Sequence, residues 1–141
     1  MSEGALEGTP SRLTSLFRSI VHHLHGDAGG LPIEGDLPSF AGATSWLNSE
    51  PLTPEVLHGR VVLVQLWTNT CINWLRVQLY VHAWAEKSRN HGLVVIGVHA
   101  PELPYEHNLD TVRRAAKQLR VAYPIAIDND FATWRAFNNN Y

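Results

Sequence analysis

From Arg60 to Trp67 the chain reads Arg-Val-Val-Leu-Val-Gln-Leu-Trp, a nearly continuous apolar run rich in β-branched residues. Such a run fits a strand buried on both faces of a parallel sheet. Cys71 follows directly, and apolar side chains then recur at Ile72, Leu75, Leu79, Val81, Ala83 and Trp84. That spacing predicts a helix over 71–90, closed by Asn90-His91-Gly92. Leu93-Val-Val-Ile-Gly-Val98 reads as a second buried strand. Strand, helix and strand within about forty residues make a βαβ unit, which is expected to be right-handed.

The remainder extends this pattern. Asn108 or Asp110 is placed to cap a helix whose inner face carries Val112, Ala115, Ala116 and Leu119. Tyr123-Pro-Ile-Ala-Ile127 predicts a third strand, and Asp130 to Phe137 a short helix. Upstream, the segment Phe40 to Leu47 is expected to form a short strand pair. Thr53 before Pro54 suits an N-cap with Pro at the first helical position, giving a turn over Pro54–Leu57.

Ahead of this, residues 26–38 are rich in Gly, Pro and acidic side chains and read as a linker. Leu13, Leu16, Phe17, Ile20, Val21 and Leu24 recur at helical spacing behind Ser11, a plausible cap. This appended amphipathic helix suits packing on its own domain, contact with a partner, or a membrane surface. The chain therefore divides into residues 1–36, helix and linker, and residues 37–141, the organised domain. A chain of 141 residues fits one domain and can bury roughly two thirds of its unfolded surface.

Composition excludes several classes. With 45% hydrophobic and 17% charged residues, the chain reads as globular and not disordered. A net charge of -2 argues against a nucleic-acid partner. No stretch approaches the ~20 apolar residues needed to span a bilayer. Residues 11–25, SRLTSLFRSIVHHLH, are interrupted by Arg18 and adjacent histidines and make no export signal. The expectation from the sequence as written is a cytoplasmic protein.

Cys71 is the single cysteine. It excludes an intramolecular disulfide and a zinc site built on several thiolates. His22 and His25 share a helix face, but no acidic or thiol ligand lies nearby, so a solvated basic face explains them better than a metal. Asp128-Asn129-Asp130 lack the Gly and later Glu of a calcium loop, and a turn with a helix cap accounts for them. No cofactor is expected.

The placement of Cys71 carries the chemistry. It follows a buried strand and opens a helix. The first helical turn offers unpaired N–H groups and the positive end of the dipole, both of which favour a thiolate, the reactive form. Sites in open α/β sheets lie at the carboxyl ends of strands. A buried, inert cysteine is the competing reading from position alone.

The stretch Val61-Val-Leu-Val-Gln-Leu-Trp-Thr-Asn-Thr-Cys71-Ile-Asn-Trp74 resembles the active-site strand and helix start of redoxin domains, in particular the thioredoxin-like domain of the DipZ group, similar to the TlpA and ResA class. The pattern there is typically W-T-x-x-C-I-N-C. Gly92 to Glu102 resembles the second strand and its loop, Tyr123 to Asp130 the inserted strand, and Phe131 to Tyr141 the segment before the cis-proline hairpin. The match covers residues 37–141. It implies an α/β, thioredoxin-like fold: a parallel three-strand core with flanking helices.

The resemblance also implies thiol-disulfide exchange, with Cys71 as the attacking thiol and the backbone at Ile72 to Trp74 supporting its thiolate. Trp74 stands where the resolving cysteine belongs, so an external thiol or a second protein molecule must complete any cycle. A peroxidase reading fits less well: Thr68 lies three before the cysteine, but Val64 occupies the position where peroxiredoxins place Pro. Glu102, after Pro101 at the end of the second strand, is the candidate proton relay, and His99 approaches the same rim.

The resembling fold continues past Tyr141 with an antiparallel strand pair and a last helix. The sheet is therefore expected to be incomplete, with an open edge along the second strand that a dimer mate or partner would cover. The expected function is a weak, monothiol thiol-disulfide oxidoreductase acting on a protein or small-molecule thiol or disulfide. The alternative is a non-catalytic interaction module or degenerate fragment that keeps the fold without the chemistry.

Overall fold

A computed structural model describes residues 32–140. The chain separates into two units, Met1–Asp36 and Leu37–Tyr141, and every strand and helix described lies in the second. The helix expected over residues 11–25, with His22, His23 and His25, falls outside the described residues.

The elements run β1 (Ser45–Leu47), α1 (Pro54–Leu57), β2 (Val61–Trp67), α2 (Ile72–Ser88), β3 (Leu93–His99), α3 (Leu109–Gln118), β4 (Ile125–Ile127) and α4 (Ala132–Ala136). Short 3-10 turns occupy Arg89–His91 and Pro104–His107. The sheet has four strands in the order β1-β4-β3-β2. The three expected parallel strands are present, with β2 and β3 in register from Val61↔Leu93 to Trp67↔His99 and β4 parallel to β3. β1 adds an antiparallel strand on β4, pairing Ser45 with Ile127.

Alternation along the strands sorts two cores. Leu63 and Trp67 of β2, Val95 of β3 and Ile125 and Ile127 of β4 pack with Trp74 and Val81 of α2 and Val112 and Ala116 of α3. The intervening residues, among them Val64, Leu66, Ile96, Val98 and Ala126, face Phe40, Leu57 and Phe137. Polar ties fix how the elements meet. Gln78 Nε2 donates to the carbonyl of Leu119 at 3.0 Å, joining α2 to the end of α3. Asn48 Nδ2 donates to the carbonyls of Val121 and Tyr123, joining the end of β1 to the approach to β4.

The helix predicted over 71–90 runs from Ile72 to Ser88 and ends through its 3-10 turn at Gly92, whose φ of 88° is the left-handed stop that glycine adopts freely. Asn108 is the cap chosen for α3, its side chain accepting from the Thr111 N–H at 3.0 Å. Pro54 opens α1 as expected, although the Thr53 side chain makes no cap bond.

Two expectations are corrected. The strand pair over Phe40–Leu47 does not form. Phe40 is instead a buried plug, edge-on to Trp46 at 6.0 Å and 5.6 Å from Phe137. The chain then turns through an Ala43 N–H to Phe40 carbonyl bond, and only Ser45–Leu47 extends. The open sheet edge is also misplaced in the sequence reading. β3 is paired on both sides, by β2 and β4. Among the described residues the edge strands are β1 and β2, the latter leading to Cys71.

Candidate active site

β2 delivers the chain to the site. At its end the Trp67 carbonyl accepts from the Ala100 N–H at 3.1 Å, and the His99 carbonyl accepts from the Asp128 N–H at 2.9 Å. These bonds lock three adjacent strand ends together. A turn follows, Thr68 to Cys71, closed by a long 3.4 Å bond from the Cys71 N–H to the Thr68 carbonyl.

Cys71 is the N-cap of α2, with extended backbone at φ -66° and ψ 112° and no side-chain cap bond. Its carbonyl accepts the first helical bond, from the Leu75 N–H at 3.0 Å. The thiol is free and partly exposed, and it packs against the core that holds Trp67 and Trp74. An N-cap side chain sits beside the N–H groups that the first turn leaves unpaired. The strand-then-helix pattern of the sequence thus becomes a thiol at a helix entrance, in contact with solvent.

Trp74 is buried on the first turn of α2 and stacks on Trp67, with centroids 4.1 Å apart and planes 19° from parallel. Trp67 in turn meets the edge of the His99 ring at 5.0 Å. His99 is fully buried, with Nε2 3.4 Å from Asn69 Oδ1 and Nδ1 without a partner. Burial pushes its pKa down to about 4, against the opposing pull of the Glu106 charge. A neutral imidazole therefore lies behind the turn, next to Trp67 and not on the open rim.

Glu102 is exposed, and the bond it makes in this loop is through its backbone N–H. The acid on the inside is Glu106, which the sequence reading passed over. Its side chain is fully buried. Oε2 accepts from the backbone N–H of Glu102 at 2.8 Å and of Leu103 at 2.9 Å, and Oε1 accepts from the Thr70 hydroxyl at 2.6 Å. Burial alone pushes this carboxyl upward, but the Thr70 hydroxyl and the two backbone N–H groups outweigh it and leave the pKa lowered. A signal existed in the sequence: Pro104 followed two residues later by Glu106 has the spacing of a helical first turn with an acid at its third position.

Asp128 fills the cap role read into Asp128-Asn129-Asp130. Fully buried, it accepts from the N–H groups of Thr133 at 2.9 Å and Trp134 at 2.7 Å at the start of α4. Among the described residues no group of three His, Cys, Asp or Glu is arranged to hold a metal ion, and no helix is long and apolar enough to cross a membrane.

No family model matches the sequence. Protein DipZ of Mycobacterium bovis is 40% identical over 110 residues, which are 76% of this chain and 16% of DipZ. The chain thus spans about a sixth of that relative's length. Thiol-disulfide oxidoreductase YkuV of Bacillus subtilis is 25% identical over 105 residues, 74% of this chain and 70% of YkuV. The solution structure of a thioredoxin-like protein in the oxidized form superposes with a TM-score of 0.68 at 28% identity, covering 75% of this chain and 71% of that one. Likeness to DipZ and YkuV in sequence, and to a thioredoxin-like protein in backbone, agrees with a fold in which β2 leads through a short turn to a cysteine at a helix entrance: the chain is a thioredoxin-like domain similar to that of DipZ.

Proposed function

We propose that this domain exchanges thiols and disulfides as a monothiol, with Cys71 as its nucleophile. The observation that carries the reading is the partly exposed Cys71 thiol at the N-cap of α2, with the buried Trp74 on the following turn. In the proposed cycle the Cys71 thiolate attacks a substrate disulfide. One S–S bond forms between Cys71 and the substrate, the original S–S bond breaks, and the second substrate sulfur leaves as a thiolate. With no other cysteine in the chain, an external low-molecular-weight thiol attacks Cys71 Sγ and releases the reduced substrate. A second molecule of that thiol then frees Cys71 and leaves as the external disulfide. Two external thiols are oxidised for each disulfide reduced.

Glu102, on the exposed loop after β3, is kept in this proposal as the proton relay for Cys71. The unpaired edge of β2 is the surface on which a partner, either a second copy or the substrate protein, would add a strand. A cytoplasmic setting remains part of the proposal.

The test is the rate at which Cys71 forms a mixed disulfide with oxidised glutathione, in native buffer and in urea, followed by mass spectrometry. A folded site is expected to react about tenfold faster than the unfolded chain, since reactivity follows thiolate character and access. A native rate equal to or below the urea rate overturns the redox reading and leaves the non-catalytic module.

A further inference from the structure

We infer that Glu106 is a positioning residue for Cys71, acting through the Thr70 hydroxyl; the inference rests on the redox reading above. Within the turn from Thr68 to Cys71 two restraining bonds are long: the Cys71 N–H to the Thr68 carbonyl, and Asn69 Oδ1 to His99 Nε2, both at 3.4 Å. The bond from Thr70 Oγ1 to Glu106 Oε1 is short, at 2.6 Å. A hydroxyl bonded to a carboxylate at that separation is in the short range of charge-assisted bonds, roughly twice as strong as neutral ones. It is the firm anchor of the turn.

The carboxylate's own surroundings support a role beyond its loop. Capping the 3-10 turn at Pro104–His107 occupies Oε2, which takes both local N–H groups. Oε1 is not needed for that and points instead to a residue 36 positions earlier. Thr70 is exposed, so its hydroxyl could be satisfied by water, yet it turns inward to a fully buried acid. Thr70 immediately precedes the N-cap residue. Fixing its side chain fixes the peptide that enters Cys71, and with it the direction in which the thiol leaves the helix entrance. Glu106 thereby joins two loops at the carboxyl ends of adjacent strands, one carrying the thiol and the other carrying Glu102.

The test compares Thr70→Val, Thr70→Ser and Glu106→Gln with the unaltered chain. Each is assayed for the rate of Cys71 mixed-disulfide formation with oxidised glutathione, native and in urea, alongside a thermal melt. Thr70→Val exchanges the hydroxyl for a methyl group at an exposed position, and the thermal melt checks that the chain stays folded. Its native rate is expected to move at least half of the way to the urea rate. Thr70→Ser keeps the hydroxyl and is expected to retain the native rate, a rescue that a merely structural contact would not produce. Glu106→Gln is expected to follow Thr70→Val. If the unaltered chain reacts faster native than in urea while Thr70→Val keeps that advantage, the positioning role is overturned and the redox reading stands. If Thr70→Ser loses the advantage together with Thr70→Val, the hydroxyl bond is not the cause and the role is likewise overturned. If the unaltered chain shows no native advantage, both readings fall together.

Discussion

Trp74 stacks on Trp67 across 4.1 Å, and neither indole N–H has a hydrogen-bond partner. The pair occupies, with apolar surface, the first-turn position at which resembling domains carry a second thiol. Trp74→Ala is expected to cost about 3–5 kcal/mol, the range for emptying a buried aromatic site. Trp74→Phe keeps a ring in the stack and removes an unpaired buried donor, whose burial itself costs about 1–3 kcal/mol. The Phe variant is therefore expected to stay within about 1.5 kcal/mol of the parent, the worth of an aromatic pair beyond its area. Urea denaturation of both variants checks the ordering. Trp74→Cys supplies a resolving thiol but opens nearly the same cavity as Ala, so its disulfide reductase activity must be read beside its stability.

His99 makes stability depend on pH. Its pKa falls from 6.5 to about 4 on folding, chiefly through burial. Between those values the unfolded chain binds a proton that the folded chain does not, so the contribution is complete above pH 6.5 and is lost as pH falls toward 4. The difference amounts to about 3 kcal/mol. Glu106, whose pKa is lowered in the fold, acts in the same direction at still lower pH. Urea midpoints at neutral pH and near pH ~4.5 are expected to differ strongly in the parent and to converge in His99→Gln, which cannot take up the proton.

Gly97 lies under the tryptophan stack. A Cβ there would sit 2.8 Å from Trp67 Nε1 and 3.1 Å from Tyr123 Cε2. Gly97→Ala is expected to destabilise by about 1–3 kcal/mol through overpacking. It should also perturb tryptophan fluorescence, since the displaced ring is one of the stacked pair. An unchanged melt and spectrum would show that the sheet relaxes freely at this point.

The exposed edge of β2 carries a solubility prediction. Val61 opens the strand and is 68% exposed. Val61→Lys places a charge on an unpaired edge, a common protection against strand addition. The melting temperature is expected to stay close to the parent's, because surface changes usually fall within about 0.5 kcal/mol. Light scattering on concentration should show less association. Equal association in both proteins would rule out β2 as the contact strand.

Several elements were legible in the sequence because their signals are local. The β-branched run before Cys71, the apolar spacing after it and the glycine at its end fix β2, α2 and the stop at Gly92. Asn108 and Pro54 announce the helix starts at which they are found. With those elements in order, the thiol at the helix entrance follows from chain connectivity alone. The tertiary structure decided what depends on partners far apart in sequence. Phe40 was pulled out of a strand by Trp46 and Phe137, and the open edge moved from β3 to β2 once β4 inserted beside β3. Loop acids show the same division. Glu102 and Glu106 lie four residues apart, and only the closure of the loop around Oε2 buries one and exposes the other. The Thr70 hydroxyl then finds the buried acid across 36 residues, a separation over which no local propensity acts.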